Sequence, residues 1–139
     1  MRKYAIALAA AGLSLGLAAA ASAQSVTVTA TASGSKVTLK LRIPAGYHVY
    51  GPTEKSGVPT AITVKDPKGA KVLIAWPKTK PYQTFEGTAQ IYAGVVTIPV
   101  TIKSPAKVGR ISLSVATQLC NDRTCLPPAE ANVTVALKP

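Results

Sequence analysis

The chain has 139 residues, and its 16 Lys and Arg outnumber its 5 Asp and Glu to give a net charge of +11. This length suits one small domain with a modest core. Nucleic-acid-binding surfaces commonly interleave aromatic with basic side chains. Only 5% of the residues of this chain are aromatic and its lysines are scattered, so we expect no nucleic-acid partner.

The N-terminus has the pattern of a secretory signal peptide. The basic start Met1–Lys3 precedes an apolar run, Tyr4–Ala20, and Ala21–Ala23 supplies the small residues that signal peptidase requires. We predict cleavage before Gln24, which leaves a single exported domain, residues 24–139. The alternative is an uncleaved membrane anchor, but the run is short for a span and rich in alanine. No second apolar stretch of sufficient length follows, so we expect no stable membrane insertion.

Loss of Arg2 and Lys3 with the signal peptide would lower the net charge from +11 to +9. A scattered positive charge of this size is consistent with a role in solubility. It is equally consistent with an acidic protein partner or an anionic surface, and charge alone does not choose between them.

The part of the chain after the signal peptide alternates apolar and polar residues with a period of two, which is typical of strands with one buried face. Turn residues interrupt it about every ten residues, and we predict about eight short strands in a two-sheet sandwich. Pro77–Glu86 is predicted to be an irregular loop. Pro99 lacks an N–H, which predicts an edge strand or a bulge around it. The ranges with strand character are Ser25–Ala32, Lys36–Ile43, Tyr47–Tyr50, Ala61–Lys65, Lys71–Trp76, Thr88–Tyr92, Val95–Lys103, Ile111–Gln118 and Asn132–Leu137.

Cys120 and Cys125 are the only two cysteines. An exported protein meets an oxidising compartment, so a structural disulfide is the simplest interpretation. A six-residue ring restrains the unfolded chain by only about 2 kcal/mol, however, and small exposed rings exchange readily. From the residues alone, structure and redox exchange remain equally open.

The sequence gives little support for a metal site or for a hydrolytic site. His48 is the only histidine, and the only methionine, Met1, belongs to the signal peptide, so soft ligands for copper or zinc are too few. The five carboxylates are spread thinly, and no nucleophile and base for hydrolysis are apparent. We therefore expect no metal and no other cofactor.

Four segments occur in the order found in one known family. Together they make the chain resemble the N-terminal periplasmic domain of DsbD, the thiol:disulfide interchange protein, over nearly all of residues 24–139. The cysteine segment with its Leu-Pro-Pro is the most specific part. The segments are Gly46–Tyr50, Ser56–Pro59, Phe85–Gly87 with Ile91-Tyr92, and Cys120–Pro128.

The resemblance implies an all-β, immunoglobulin-like sandwich whose cysteine pair exchanges electrons with thioredoxin-fold proteins of the periplasm. It implies that Cys125 forms the mixed disulfide and that Cys120 resolves it. Phe85 corresponds to a cap over the pair, with an ordinary core position as the alternative, and His48 and Tyr50 correspond to aromatic residues beside the site.

The reactivity of such a pair depends on access and on thiolate formation. Arg123 lies inside the ring and could stabilise a thiolate, but the neighbouring Asp122 opposes it. We expect a reluctant thiolate that reacts mainly when a partner docks.

The family's full-length members continue into a membrane electron-transfer domain and a thioredoxin-like domain, whereas this sequence ends at Pro139. We therefore expect a separate membrane electron-transfer protein as a partner and predict a protein-disulfide reductase type of thiol:disulfide interchange. The alternative function is a non-catalytic exported binding or assembly module in which the disulfide only braces a loop.

Overall fold

A computed structural model describes residues 24–137 of the chain. The predicted signal peptide, residues 1–23, lies outside the described residues. Within them, no helix is long and apolar enough to cross a membrane. The strands are β1 (Thr27–Ser33), β2 (Lys36–Arg42), β3 (Val49–Tyr50), β4 (Ala61–Asp66), β5 (Val72–Ile74), β6 (Lys80–Thr84), β7 (Gly87–Tyr92), β8 (Val95–Ile102), β9 (Arg110–Thr117) and β10 (Ala129–Ala136).

The ten strands form three antiparallel sheets. A four-stranded sheet has the order β1-β2-β8-β5, and two three-stranded sheets have the orders β10-β9-β4 and β3-β7-β6. The predicted all-β, immunoglobulin-like class is confirmed, with ten strands in place of about eight and with a third small sheet, β3-β7-β6, beyond the two that were predicted.

The core lies between the four-stranded sheet and the β10-β9-β4 sheet. Leu39 of β2 and Ile98 of β8 are fully buried and belong to the same cluster as Ile111 and Leu113 of β9. Their neighbours in sequence point to the other side of each sheet, as the period of two predicts. Burial of each of these side chains contributes roughly 1.5–3 kcal/mol, so this interface supplies most of the hydrophobic stabilisation.

The prediction for Pro99 was wrong, because β8 lies inside the four-stranded sheet between β2 and β5. The carbonyl of Pro99 accepts a hydrogen bond from the Ala75 amide at 2.9 Å, just beyond the last residue of β5, Ile74. In a strand, the N–H and C=O of one residue point toward the same neighbouring strand. The N–H that Pro99 lacks would therefore point toward β5, at a position beyond the last residue of that strand. An interior strand therefore tolerates proline at this point.

The prediction of a loop over Pro77–Glu86 was also wrong, because Lys80–Thr84 forms β6 and pairs with β7. β6 is the edge strand of its sheet, where Pro81 does not interrupt a ladder. The hairpin closes through Thr84, whose hydroxyl donates to the Gly87 carbonyl at 2.8 Å. Gly87 has a φ of 127°, which glycine adopts readily. This hairpin carries Phe85 at its tip.

Candidate functional site

The two cysteines lie opposite each other in a tight hairpin between β9 and β10. The Leu126 amide donates to the Leu119 carbonyl at 2.8 Å, and the Asn121 amide donates to the Thr124 carbonyl at 2.8 Å. Cys120 and Cys125 form the pair between these two bonds, and such non-hydrogen-bonded pairs bring Cα atoms closest. Their Cα atoms are 4.0 Å apart, and a disulfide joins them.

Asn121 closes this hairpin with its side chain. Its Oδ1 accepts hydrogen bonds from the Arg123 and Thr124 amides, both at 2.9 Å. Asparagine side chains commonly stabilise turns in this way, so the local sequence at Asn121 is typical of a turn. Asn121 was not among the site residues predicted from the sequence.

The two sulfur-bearing residues differ sharply in environment. Cys120 is 1% exposed, whereas Cys125 is exposed on the surface. The backbone of Cys120 is bonded on its other side to His48, with His48 N to Cys120 O at 2.9 Å and Cys120 N to His48 O at 3.0 Å. Cys120 therefore lies between two paired residues, His48 on one side and Cys125 on the other. Cys125 is at the outer edge of this arrangement.

The disulfide lies in an open cleft of about 650 Å³ between the cysteine hairpin and the β6–β7 hairpin. All six site residues predicted from the sequence line this cleft. Tyr82 lines it too, and it was missed because its strand was predicted to be a loop. The lining residues are His48, Tyr50, Tyr82, Gln83, Thr84, Phe85, Cys120, Asn121, Asp122, Arg123, Thr124 and Cys125.

The aromatic wall of the cleft is built around His48. Its ring centroid lies 4.4 Å from that of Tyr82 and 5.8 Å from that of Tyr50, the latter in an edge-on arrangement. His48 is 5% exposed, and burial lowers its pKa below the usual value of 6.5, although the negative charge of Asp122 partly opposes this. The imidazole is therefore neutral near pH 7.

We predict that the stability of the domain falls as the pH drops below 6.5. The unfolded chain takes up a proton at His48 near its usual pKa, whereas the folded chain does so only at lower pH, so acid favours unfolding between these two values. Because His48 is the only histidine, NMR titration of the imidazole reports its pKa directly. Asp122→Asn should lower this pKa further, and a wild-type midpoint at or above 6.5 would contradict the prediction.

Phe85 stands at the tip of the β6–β7 hairpin. Its side chain is fully exposed, which does not agree with a core position, and the ring buries no part of the disulfide in this conformation. The tip nevertheless borders the same cleft as the cysteine hairpin.

The loop between β3 and β4 packs against the Tyr50 ring and forms a hydrogen bond with the Tyr50 carbonyl. The Thr60 hydroxyl donates to the Tyr50 carbonyl at 2.7 Å, and Gly57 packs directly against the Tyr50 ring. Glu54 fastens this loop to β7 by accepting a hydrogen bond from the Gln90 amide at 2.6 Å. This bond, together with those from Ser56, lowers the pKa of Glu54.

The charged residues of the site lie at its rim. Asp122 and Arg123 are both exposed in the cysteine hairpin, and Glu86 is exposed next to Phe85. Among residues 24–137, no group of three or more His, Cys, Asp and Glu side chains is arranged to hold a metal ion. The chemical groups that the cleft offers are the disulfide and the polar and aromatic side chains around it.

Residues 17–137 match the family model described as the N-terminal domain of the thiol:disulfide interchange protein DsbD. No curated protein matches the sequence.

Two solved structures share the fold. The N-terminal periplasmic domain of ScsB from Proteus mirabilis has a TM-score of 0.64 at 19% identity, over 81% of this chain and 45% of that one. The reduced DsbD N-terminal domain of Neisseria meningitidis has a TM-score of 0.61 at 15% identity, over 80% of this chain and 84% of that one. The chain thus spans less than half of the ScsB structure.

Proposed function

The chain belongs to the family of DsbD N-terminal domains, and from that premise we propose that it is a thiol:disulfide carrier that passes reducing equivalents between thioredoxin-fold proteins. Cys120 and Cys125 are the proposed redox pair. The observation that supports this most strongly is the asymmetry of the pair, with Cys125 exposed in an open cleft and Cys120 buried behind it.

Reduction of the carrier proceeds by two exchanges. A donor thiolate attacks the Sγ of Cys125, the Cys120–Cys125 bond breaks, and its electron pair leaves on the Sγ of Cys120, which takes up a proton. A second donor thiolate then attacks the donor's own sulfur in the mixed disulfide and releases Cys125 as a thiol. The donor ends as a disulfide, and the carrier has gained two electrons and two protons.

Delivery to an acceptor reverses these roles. The Cys125 thiolate attacks the acceptor disulfide, and the Cys120 thiolate then attacks Cys125 to regenerate the carrier disulfide and release a reduced acceptor. Cys120 needs no access to the partner for either step, which is consistent with its burial.

The rim charges set how readily the thiolates form. Arg123 favours a thiolate, whereas Asp122 disfavours it, and both are exposed to water, which screens them. His48, in the aromatic wall, has a pKa lowered by burial and supplies no positive charge near pH 7. We propose that the pair reacts mainly when a docked partner brings its own sulfur into line with the disulfide.

The proposal includes export and separate partners. Removal of residues 1–23 would deliver the domain 24–139 to the periplasm, where a separate membrane electron-transfer protein is the proposed donor. Intact-mass measurement of the chain isolated from an expressing Gram-negative cell tests the cleavage before Gln24. A mass that retains Met1–Ala23 would contradict it.

We predict that reduction leaves the sandwich folded. The ring is short and lies at the edge of the core, so its loss should lower the free energy of unfolding by about 2 kcal/mol or less. Titration against a glutathione or dithiothreitol redox buffer, with fold and thiol state both followed, measures this cost and the midpoint potential. A potential below roughly −300 mV would indicate an inert bond and favour a non-catalytic binding module.

We further propose that the tip of the β6–β7 hairpin closes over the reduced pair and that Phe85 acts as the cap. Phe85→Ala should then speed alkylation of the reduced protein by a small reagent. It should change stability by less than about 0.5 kcal/mol, because the ring is fully exposed. Gln83→Ala, on the same hairpin, is the control. Equal alkylation rates for wild type and Phe85→Ala would refute the cap.

A further inference from the structure

The outward side of the four-stranded sheet carries a positively charged surface, which we call the basic face. Val37, Leu39 and Leu41 of β2 point into the core, so the alternating residues of β2 point outward. The basic face consists of Lys36, Lys40 and Arg42 of β2 together with Lys71 and Lys103 at the β5 end of the sheet; all five are exposed.

The strand register fixes how the residues of this face are arranged. Lys40 lies between Thr29 of β1 and Thr97 of β8, and Lys36 pairs with Thr101 of β8. The Lys103 amide donates to the Lys71 carbonyl at 2.9 Å, which places the last two cations side by side. Between the cations the face therefore presents mainly uncharged threonines.

Carboxylates are excluded from the basic face. All five acidic residues of the chain lie among the described residues and belong to other parts of the fold. Glu54 is fastened to β7, Asp122 lines the cleft, and Glu86 lies in the turn between β6 and β7. Asp66 pairs with Ser112 and Glu130 with Ala116 in the β10-β9-β4 sheet.

Two large apolar side chains are exposed on the same face. Leu73 of β5 and Val95 of β8 are each 57% exposed, and the register pairs Leu73 with Thr101 and Val95 with Arg42. They therefore stand among the cations and are separated from each other along the sheet.

A shallow depression of about 180 Å³ adds to this surface at the Val95 end. Its lining includes Val95 and Thr97 from the sheet and Lys78 and Lys80 from the segment that leads into β6. Two further cations thus border the face there, again without an acidic residue in the lining.

We propose that the basic face is a docking surface for a bilayer that contains anionic phospholipids. Each Lys or Arg near such a surface gains electrostatic attraction, and apolar side chains among the cations can enter the headgroup region. A broad sheet face with dispersed cations fits a broad anionic plane.

An acidic protein partner fits this surface less well. Protein interfaces concentrate aromatic residues, Met and Arg in a buried centre and are depleted in Lys, whereas four of the five cations of the basic face are lysines and its other residues are mainly threonines. The dispersed cations likewise form no single deep pocket for one soluble anion.

Docking through the basic face would leave the cleft free for partners. β6 runs from Lys80, beside the face, to Thr84, next to Phe85 at the cleft. Its five residues span roughly 17 Å at about 3.3 Å per residue. The disulfide would then stand off the membrane, where thioredoxin-fold proteins or a membrane-anchored donor can reach it.

The test is cosedimentation of the chain, isolated from the periplasm, with vesicles of phosphatidylcholine containing 30% phosphatidylglycerol at about 0.1 M salt. Wild type is compared with the triple variant Lys36→Gln, Lys40→Gln, Arg42→Gln. We expect a loss of affinity of about 100-fold, since each basic residue contributes roughly fivefold near an anionic surface. The matched control, Lys55→Gln, Lys65→Gln, Arg110→Gln, removes the same charge from exposed positions elsewhere and should lose less than about threefold.

Leu73→Ser tests the apolar contribution, with Val58→Ser on the β3–β4 loop as its control. We expect Leu73→Ser to weaken vesicle binding several-fold and Val58→Ser to leave it unchanged. Circular dichroism of each variant shows whether the sandwich is intact.

Three outcomes would overturn the proposal: no binding of wild type to the anionic vesicles, equal binding to pure phosphatidylcholine vesicles, or equal losses in the triple variant and its control. Binding to soluble poly-glutamate but not to vesicles would likewise overturn it in favour of an acidic protein partner. The cysteine pair takes no part in this test, so its result is independent of the proposed thiol exchange.

Discussion

Cys120→Ser should accumulate a covalent complex with a thioredoxin-fold protein, whereas Cys125→Ser should accumulate little or none. The measurement is non-reducing electrophoresis of each variant after mixing with a thioredoxin-fold protein that lacks its own resolving cysteine and is activated as a mixed disulfide with a small thiol. We expect most of the Cys120→Ser chain to shift to the mass of the complex.

The physical reason is the difference in exposure between the two cysteines. Cys125 is exposed to a docking partner, whereas Cys120 is 1% exposed and is bonded through its backbone to His48 and through its side chain to Cys125. Exchange passes through a mixed disulfide that persists when no resolving thiol is present. Serine at position 120 removes that thiol and leaves the attacking one in place.

Controls separate the role of each cysteine from the function itself. The double variant Cys120→Ser, Cys125→Ser should form no complex, and a reducing gel should abolish the complex of Cys120→Ser. Equal trapping by both single variants would disprove the division of roles between the two thiols. No trapping by either would count against the carrier function.

Gly57→Ala should destabilise the domain by about 1–3 kcal/mol and disturb the cleft. A methyl group at Gly57 would overlap the ring of Tyr50, which is buried and therefore cannot move aside freely. Tyr50 in turn meets His48 edge-on at 5.8 Å, so a displaced ring should also shift the NMR signals of the imidazole. Chemical denaturation and the His48 spectrum measure the two effects.

The matched control for this substitution is Gly109→Ala. Apart from Gly109 and its two chain neighbours, no residue comes within 4 Å of a methyl group at this position, and the backbone is not in the left-handed region. The change in stability should therefore stay within about 0.5 kcal/mol. In a Tyr50→Leu background, Gly57→Ala should cost much less than in wild type, because the overlap is with the ring. Equal costs in both backgrounds would show that the Tyr50 contact is not the cause.

The sequence by itself determined the class of the fold. Alternation such as Val37, Leu39 and Leu41 against Lys36, Thr38 and Lys40 requires a strand with one dry face, since a one-residue shift would bury the lysines. The buried residues of β2 are those three, as predicted. The segment Cys120–Pro128, together with three segments earlier in the chain, also made the sequence resemble the DsbD N-terminal family, which the family model confirms.

Periodicity could not decide how the strands are ordered in the sheets. Pro99 suggests an edge in any local view, yet β8 is interior, and proline is tolerated because β5 happens to end beside it. Lys80–Thr84 has weak strand character, and it becomes a strand because β7 offers it a free edge. Both outcomes depend on where a distant strand stops or starts.

The burial and the neighbours of each site residue likewise depend on the tertiary structure. The sequence placed two cysteines in one hairpin, but His48, 72 positions before Cys120, must pair with its backbone for Cys120 to be buried and Cys125 exposed. The cations of the basic face come from β2, the start of β5 and the end of β8, and only the strand order brings them onto one surface without a carboxylate. Local patterns fix which face of a strand is wet, whereas long-range pairing fixes which residues share that face.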